Sequence, residues 1–319
     1  MSKLGRVSET LSDNFDEDLL LQEPISVWRR TFKRLLSRRS GKIGLFLIGF
    51  IFLIAFTAPI IAPYDPHEVL IGKEIVKLKK REGPCIHMLG CDSAKPQHIM
   101  GIDGNYRDQF SRIIYGSRIS LSIGFSTVSF AVTGGVLLGA LAAFFGGWID
   151  NIIMRVMDVI LGFPSLLLAI AIVAVLGPGI RNALLAIAIV TLPAYARLTR
   201  ASVLTVKELD FVKASIALGA SPTRLLLFRI LPNSLTPVVV LATLGIATAI
   251  LDAAGLSFLG LGAQPPTPEW GTMLGSERNQ VFSAPHLVFF PGIAIMITVL
   301  AFNLFGDGLR DALDPRLND

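Results

Sequence analysis

Six long uncharged runs, separated by polar and mostly basic segments, set the pattern of this chain. They are Ile43–Tyr64, Ile119–Ile149, Val159–Ile180, Asn182–Ala196, Ile230–Leu251 and Asn279–Gly306. A membrane-crossing helix needs roughly 20 apolar residues, and five of the six runs have that length. The short one, Asn182–Ala196, is flanked by Arg181 and Arg197, whose stems can snorkel from its ends. The pattern predicts an all-α polytopic membrane protein with six transmembrane helices. Buried helices of a soluble domain are the alternative reading, and six such runs in one chain argue against it.

Composition supports the membrane reading. Hydrophobic residues make up 52% of the 319 positions and charged residues 17%, with a mean hydropathy of +0.62; a soluble domain carries about 25% charge. Residues 1–40 hold no early apolar core and no small-residue cleavage site, so the run from Ile43 reads as an uncleaved signal anchor. The net charge of +5 lies on tails and loops, which speaks for topology and against nucleic-acid binding.

Basic residues give the orientation. Arg29, Arg30, Lys33, Arg34, Arg38, Arg39 and Lys42 precede the first run. Arg197, Arg200, Lys207, Lys213, Arg224 and Arg229 lie between the fourth and fifth, and Arg310 and Arg316 follow the sixth. Six spans put these three regions on one side, which the positive-inside rule makes the cytoplasm, with both termini cytoplasmic. The segment from Asp65 to Tyr115 then lies outside, despite Lys77, Lys79, Lys80 and Arg81, because long loops translocate with weak regard to charge.

The expected organisation has a cytoplasmic tail and amphipathic helix over 1–41, a first span over 42–64 and an extracytoplasmic loop over 65–116. A five-helix core follows over 117–306, with a cytoplasmic segment over 205–231, and a cytoplasmic tail over 307–319. Residues 1–24 are acidic and polar and read as a mobile tail. Ile25, Trp28, Phe32 and Leu35 then fall on one helical face among basic residues. That face suits a helix at the headgroup level or an extension docked on another subunit. Gly135, Gly139, Ala143 and Gly147, four apart each time, predict a small-residue stripe for close helix packing. Pro164 and Pro193 interrupt the third and fourth runs. Asp158, Asp252, Asn303 and Asp307 fall near predicted span ends, where water is close.

Candidate chemistry is sparse. Cys85 and Cys91, the only cysteines, lie six apart in the outer loop, beside His87 and His98. A disulfide closing a small loop, free thiols, or a metal site are all open, although the spacing matches no standard zinc signature. Gly255-Leu256-Ser257-Phe258-Leu259-Gly260 does not have the G-x-S-x-G spacing, and no phosphate-binding G-x-x-x-x-G-K-[ST] loop occurs. The chain reads as no enzyme.

One segment, "DFVKASIALGASPTRLLLFRILP" (Asp210–Pro232), is too apolar for an idle loop and too charged for a span. Phe211, Ala214, Leu218 and Leu225 recur at helical spacing. Gly219-Ala220-Ser221-Pro222 breaks the helix: glycine suits a C-cap, proline cannot continue, and Ser221 is placed to cap the next helix. The prediction is helix, sharp turn, helix. Its apolar face must be buried on the protein's own spans or in the groove of a cytoplasmic partner.

These residues carry a resemblance. Ala214, Gly219 and Leu231-Pro232 match the spacing of the EAA loop of importer-type ABC permeases, E-A-A-x3-G-x9-I-x-L-P. Lys213-Ala214-Ser215 stands in place of the triplet and Arg229 in place of the isoleucine. The longer strings "ALGASPTRLLLFRILPNSLTP", "LSFLGLGAQPPTPEWGTML" (Leu256–Leu274), "FNLFGDGLRDALDPR" (Phe302–Arg316) and "SRIIYGSRISLSIG" (Ser111–Gly124) resemble the C-type permease subunit of dipeptide/oligopeptide/nickel ABC importers. The chain departs from the family's H-x-x-G-T-D-x-x-G-R-D pattern at His98–Asp108, and Ile71–Gln97 looks like an insertion.

The resemblance implies a type I ABC importer permease fold, importing peptides or similar small solutes across the inner membrane. It implies a homologous second permease subunit, two cytoplasmic ATP-binding subunits holding ATP and Mg, and an extracytoplasmic substrate-binding protein, with no cofactor on this chain. Phe211, Lys213, Ala214, Ser215, Leu218, Gly219, Ala220 and Ser221 would form the surface coupled to the ATPase. An ion-coupled transporter or channel is the alternative, and it would call for intramembrane charge pairs or an inverted repeat.

Overall fold

The computed structural model describes residues 27–73 and 78–313. The acidic tail over 1–24, Ile25, the Trp28 side chain, Lys77 and Arg316 lie outside the described residues. Helices dominate, and among the described residues there is no strand, only the isolated bridges Cys85–His98 and Ile102–Asp108. The helices are α1 (Val27–Ser37), α2 (Arg39–Ile61), α3 (Gln109–Phe145), α4 (Gly147–Leu161), α5 (Ser165–Leu176) and α6 (Ile180–Lys207). They continue as α7 (Asp210–Ala217), α8 (Pro222–Leu225), α9 (Leu231–Ser234), α10 (Thr236–Phe258), α11 (Trp270–Glu277) and α12 (His286–Leu313).

Five helices, α2, α3, α6, α10 and α12, are long and apolar enough to cross a membrane. The third expected span is not one straight helix. Val159–Ile180 is cut at Gly162-Phe163-Pro164, and α4 meets α5 at 93°. Proline drives the residue before it out of the helical region. The 12 residues of α5 reach only about 18 Å, short of a hydrocarbon core of about 30 Å. Pro193, by contrast, sits inside the continuous α6.

Other boundaries shift for physical reasons. α3 starts ten residues before its uncharged run, because Asp108 caps it: its carboxylate accepts from the Ser111 N–H at 2.7 Å. The polar first turns of α3 are buried in protein, so a lipid-based reading misses them. α6 runs to Lys207, well past Ala196, because Arg197 and Arg200 are paired with acids of α4. The fifth and sixth spans move to Thr236–Phe258 and His286–Leu313. Ile230 and the short helix α9 belong to the preceding segment, and Val281 and Phe282 to the turn before α12.

The core lies between α2, α3, α6, α10 and α12, with Leu121, Val128, Ala131, Tyr195, Ile246 and Phe302 at its centre. Gly135 and Gly139 of α3 lie against α6. A Cβ on Gly139 would meet the Ala196 carbonyl oxygen, and one on Gly135 would stand 2.5 Å from Tyr195 Cβ. Ala143 is buried one turn further on. Gly147 does not share this stripe. Gly146 (φ +65°) and Gly147 (φ +54°) turn the chain out of α3, and among the described residues a Cβ placed on Gly147 would meet nothing within 4 Å.

α1 packs on the chain's own C-terminal helix. Leu35 is buried with Leu309 and Ala312, and Gly41 meets Gly308 backbone to backbone. Phe32, expected on the same face as Leu35, is exposed.

Candidate functional site

The Asp210–Pro232 segment stands beyond the end of α6 and forms a helix, a tight turn and a second, irregular helical stretch. The turn is made by backbone geometry. Leu218 is the C-cap of α7, and Gly219 follows at φ +81°, in the left-handed region that glycine enters without cost. The Gly219 N–H donates to the Ile216 carbonyl at 2.9 Å and the Ala220 N–H to the Ser215 carbonyl at 3.1 Å. This pair of bonds is a Schellman motif, which satisfies the orphan carbonyls of the helix end. Nothing lies within 4 Å of a Cβ placed on Gly219, so within this chain glycine is required by φ and not by crowding. Ser221 occupies the N-cap position of α8, but its hydroxyl makes no capping bond. Beyond α8 the chain makes a π turn at Leu226–Ile230 before α9.

The four residues expected on one stripe separate. Leu225 is buried, whereas Phe211, Ala214 and Leu218 are exposed. Val212, Leu225 and Ile230 hold the segment, packing with Val203 and Val206 of α6 and with Ala140 and Ala143 of α3. Val212 was the anchor hidden in the sequence: it neighbours Phe211, and only its complete burial distinguishes it. What remains outside is apolar. Phe211, Ile216 and Leu218 are 40%, 55% and 89% exposed. Ser215 bonds back to the Phe211 carbonyl at 2.7 Å. Lys213 pairs at 3.5 Å with Glu208, both side chains largely in solvent, a contact of little energetic weight.

Ion pairs fix the support beneath. Arg200 clasps Asp150 with two bonds of 2.6 Å, a bidentate geometry, and Arg197 bonds Asp158. Asp150 and Asp158 are about 12 Å apart along α4, while their partners are about 4.5 Å apart along α6; α4 therefore crosses α6 obliquely.

At the opposite end of α3, residues 62–73 and 78–108 fold into a cap. His98 and Asp108 share a 2.8 Å hydrogen bond, and Asp108 also accepts from the Ser111 hydroxyl at 2.7 Å. Arg112 donates to the Pro66 and Pro266 carbonyls at 2.8 and 3.2 Å, and Arg107 pairs with Asp103 at 2.7 Å. Glu277 of α11 accepts from the Gly104 N–H at 3.0 Å and from Arg81 at 2.8 Å, tying the loop to α11. Cys85 and Cys91 are joined in a disulfide. Their sulfurs are thus not thiolate ligands, and His98 is engaged by Asp108. Burial alone would raise the Glu82 carboxyl, but the Lys79 N–H and Lys95 outweigh it and hold it below the usual range.

A cavity of about 800 Å³ opens between α10 and α12, with α5 and α11 contributing Leu166 and Leu274. Its wall is apolar apart from Asp252 and Asn303. The sequence placed both residues beside span ends; the structure puts both on this cavity wall.

The chain is similar to known proteins. Residues 135–319 match the family described as "Binding-protein-dependent transport system inner membrane component". Residues 26–78 match "N-terminal TM domain of oligopeptide transport permease C". The chain is 46% identical to the dipeptide transport system permease protein DppC of Alkalihalophilus pseudofirmus, over 92% of this chain and 91% of that protein. It is 46% identical to the di/tripeptide transport system permease protein DppC of Pseudomonas aeruginosa, over 95% and 96%. It is 44% identical to the glutathione transport system permease protein GsiD of Pectobacterium atrosepticum, over 91% and 90%. Among solved structures, the MetNI methionine ABC transporter in an inward-facing conformation aligns with a TM-score of 0.53 at 18% identity. That match covers 64% of this chain and 97% of the other, and it shows a shared fold.

Proposed function

We propose that this chain, which belongs to the family of binding-protein-dependent transport system inner membrane components, carries small peptides through the membrane, coupled to ATPase partners through α7. As a member of that family it is a multi-pass inner-membrane permease component of an ABC importer, not an enzyme in its own right. The finer reading concerns partners, substrate and coupling. A homologous second permease completes the path, an extracytoplasmic binding protein delivers the solute, and two cytoplasmic subunits bind ATP and Mg. The distribution of Lys and Arg supports a cytoplasmic position for both termini and for α7, with the 62–108 cap outside.

The observation that carries this reading is an exposed apolar trio beyond the membrane-crossing helices, Phe211 and Ile216 on the eight-residue α7 and Leu218 at its C-cap. A helix this short is marginal in water alone, and three apolar side chains on it suit the groove of a partner. Phe211, Lys213, Ala214, Ser215, Leu218, Gly219, Ala220 and Ser221 make up the contacting surface. Closure of the ATPase pair would move this surface as a rigid body and change which side of the membrane the path faces.

Peptides are the substrate class because the relatives are dipeptide, di/tripeptide and glutathione permeases. All three solutes carry a free α-ammonium group. The test is reconstitution of the chain with its co-purified ATPase subunits in proteoliposomes, supplied with binding protein and a labelled dipeptide. ATP-dependent uptake is expected. Uptake that persists without ATP and follows an ion gradient would overturn the reading in favour of a self-contained transporter.

A further inference from the structure

α10 carries a single charged side chain, Asp252, in 23 otherwise uncharged residues. It lies six residues before the helix end, about 9 Å along the axis. No hydrogen bond or ion pair to any described residue engages its carboxylate. A carboxylate inside a membrane protein is costly unless it is paired or faces a wet cavity, and such groups mark solute pathways. Asp252 faces one.

α10 and α12 run in opposite directions. On α10 the wall extends from Phe258 to Leu251 and Asp252, and on α12 from Gly292 to Asn303. The two polar wall residues are therefore at the same end of the groove, and the stretch beside them is lined by Gly255, Gly292, Ile295 and Met296. Nothing lies within 4 Å of a Cβ on Gly255 or Gly292, which leaves the groove unobstructed there. A carboxylate and an amide oxygen are both acceptors, no cationic side chain lines the wall, and apolar surroundings strengthen an ion pair formed there. The volume of about 800 Å³ lies within the usual range for small-ligand sites, roughly 300–1,000 Å³.

We infer that Asp252, assisted by Asn303, is a transit site for the ammonium group of the peptide as it crosses the membrane. This rests on the peptide-importer reading. The ammonium displaces water from the carboxylate and donates one bond to the Asn303 amide oxygen, so the charge is compensated within the apolar groove.

The experiment uses the complete reconstituted transporter at saturating loaded binding protein, with dialanine as solute. Asp252→Asn is expected to lower maximal uptake about tenfold or more, the equivalent of one decade in binding. The binding-protein concentration for half-maximal uptake should be unchanged, and the ATPase subunits should still co-purify. Asp252→Glu should restore most of the rate, and Asn303→Ala should have a smaller effect than Asp252→Asn. Wild-type uptake by Asp252→Asn would overturn the transit site while leaving the importer reading intact. Failure of Asp252→Asn to assemble with its partner subunits would also overturn it, by showing that the carboxylate pairs with another subunit. If the wild-type transporter imports no peptide, both readings fall together.

Discussion

Leu218 stands at the C-cap of α7 with 89% of its surface in solvent and an ordinary backbone conformation (φ −81°, ψ 5°). It makes no contribution to the buried cluster that holds the segment, which is built from Val212, Leu225 and Ile230. Truncating it should leave the folded chain untouched, so any functional loss reports on a partner. Full burial of a leucine side chain is worth about 1.5–3 kcal/mol. Leu218→Ala should weaken ATPase docking by most of that amount, or roughly 10- to 150-fold in affinity. The assay is titration of purified ATPase subunits against permease in detergent or nanodiscs, with ATP-driven uptake measured in parallel. Gly219→Ala is the informative companion. It adds no bulk within 4 Å of any described residue, but forces an L-residue to φ +81°, at about 1–2 kcal/mol. It should therefore act by loosening the turn, with faster hydrogen exchange at the Ala220 amide. Leu218→Ala should leave that exchange unchanged. Wild-type docking and uptake by Leu218→Ala would refute the claim that this face meets the ATPase.

The packing and the cap give two further outcomes. Gly139→Leu places a side chain into the Ala196 backbone and the Thr199 side chain of α6; overpacking of this kind costs about 1–3 kcal/mol or more, and the apparent Tm of the purified chain should fall, whereas an unchanged Tm contradicts the close α3–α6 approach. Glu277→Ala removes the acceptor for the Gly104 N–H and for Arg81, a loss of about 1–3 kcal/mol; exchange at the Gly104 amide should accelerate, and unchanged protection would show that the 62–108 loop is not held by α11.

Lipid-facing apolar runs announced the bundle because no other environment tolerates them, and the all-α class followed directly. The sequence was least informative where protein replaces lipid as the surrounding medium. The first turns of α3, with Gln109, Ser111 and Arg112 buried, look like loop to a hydropathy argument. Arg197 and Arg200 looked like the end of a span until Asp158 and Asp150 on a distant helix neutralised them. In the Asp210–Pro232 segment, glycine and proline located the turn correctly, since their constraint is local. Which of Phe211 and Val212 points inward is set by how α7 leaves α6, a tertiary fact with no local signature. Asp252 was legible as an odd charge, but its cavity needs α12, which lies far along the chain.

α3 is 37 residues long, hence about 55 Å, against a hydrocarbon core of about 30 Å. One unbroken helix therefore begins among the hydrogen bonds of the 62–108 cap at Asp108 and ends beside Val203, Val206 and Val212, which seat α7. It acts as a beam with a load at each end. A tilt of about 5° about its midpoint would swing the two ends in opposite directions by roughly 2.4 Å each. With Gly135 and Gly139 locking α6 to this beam, the cap and the exposed face of α7 cannot be repositioned independently of one another.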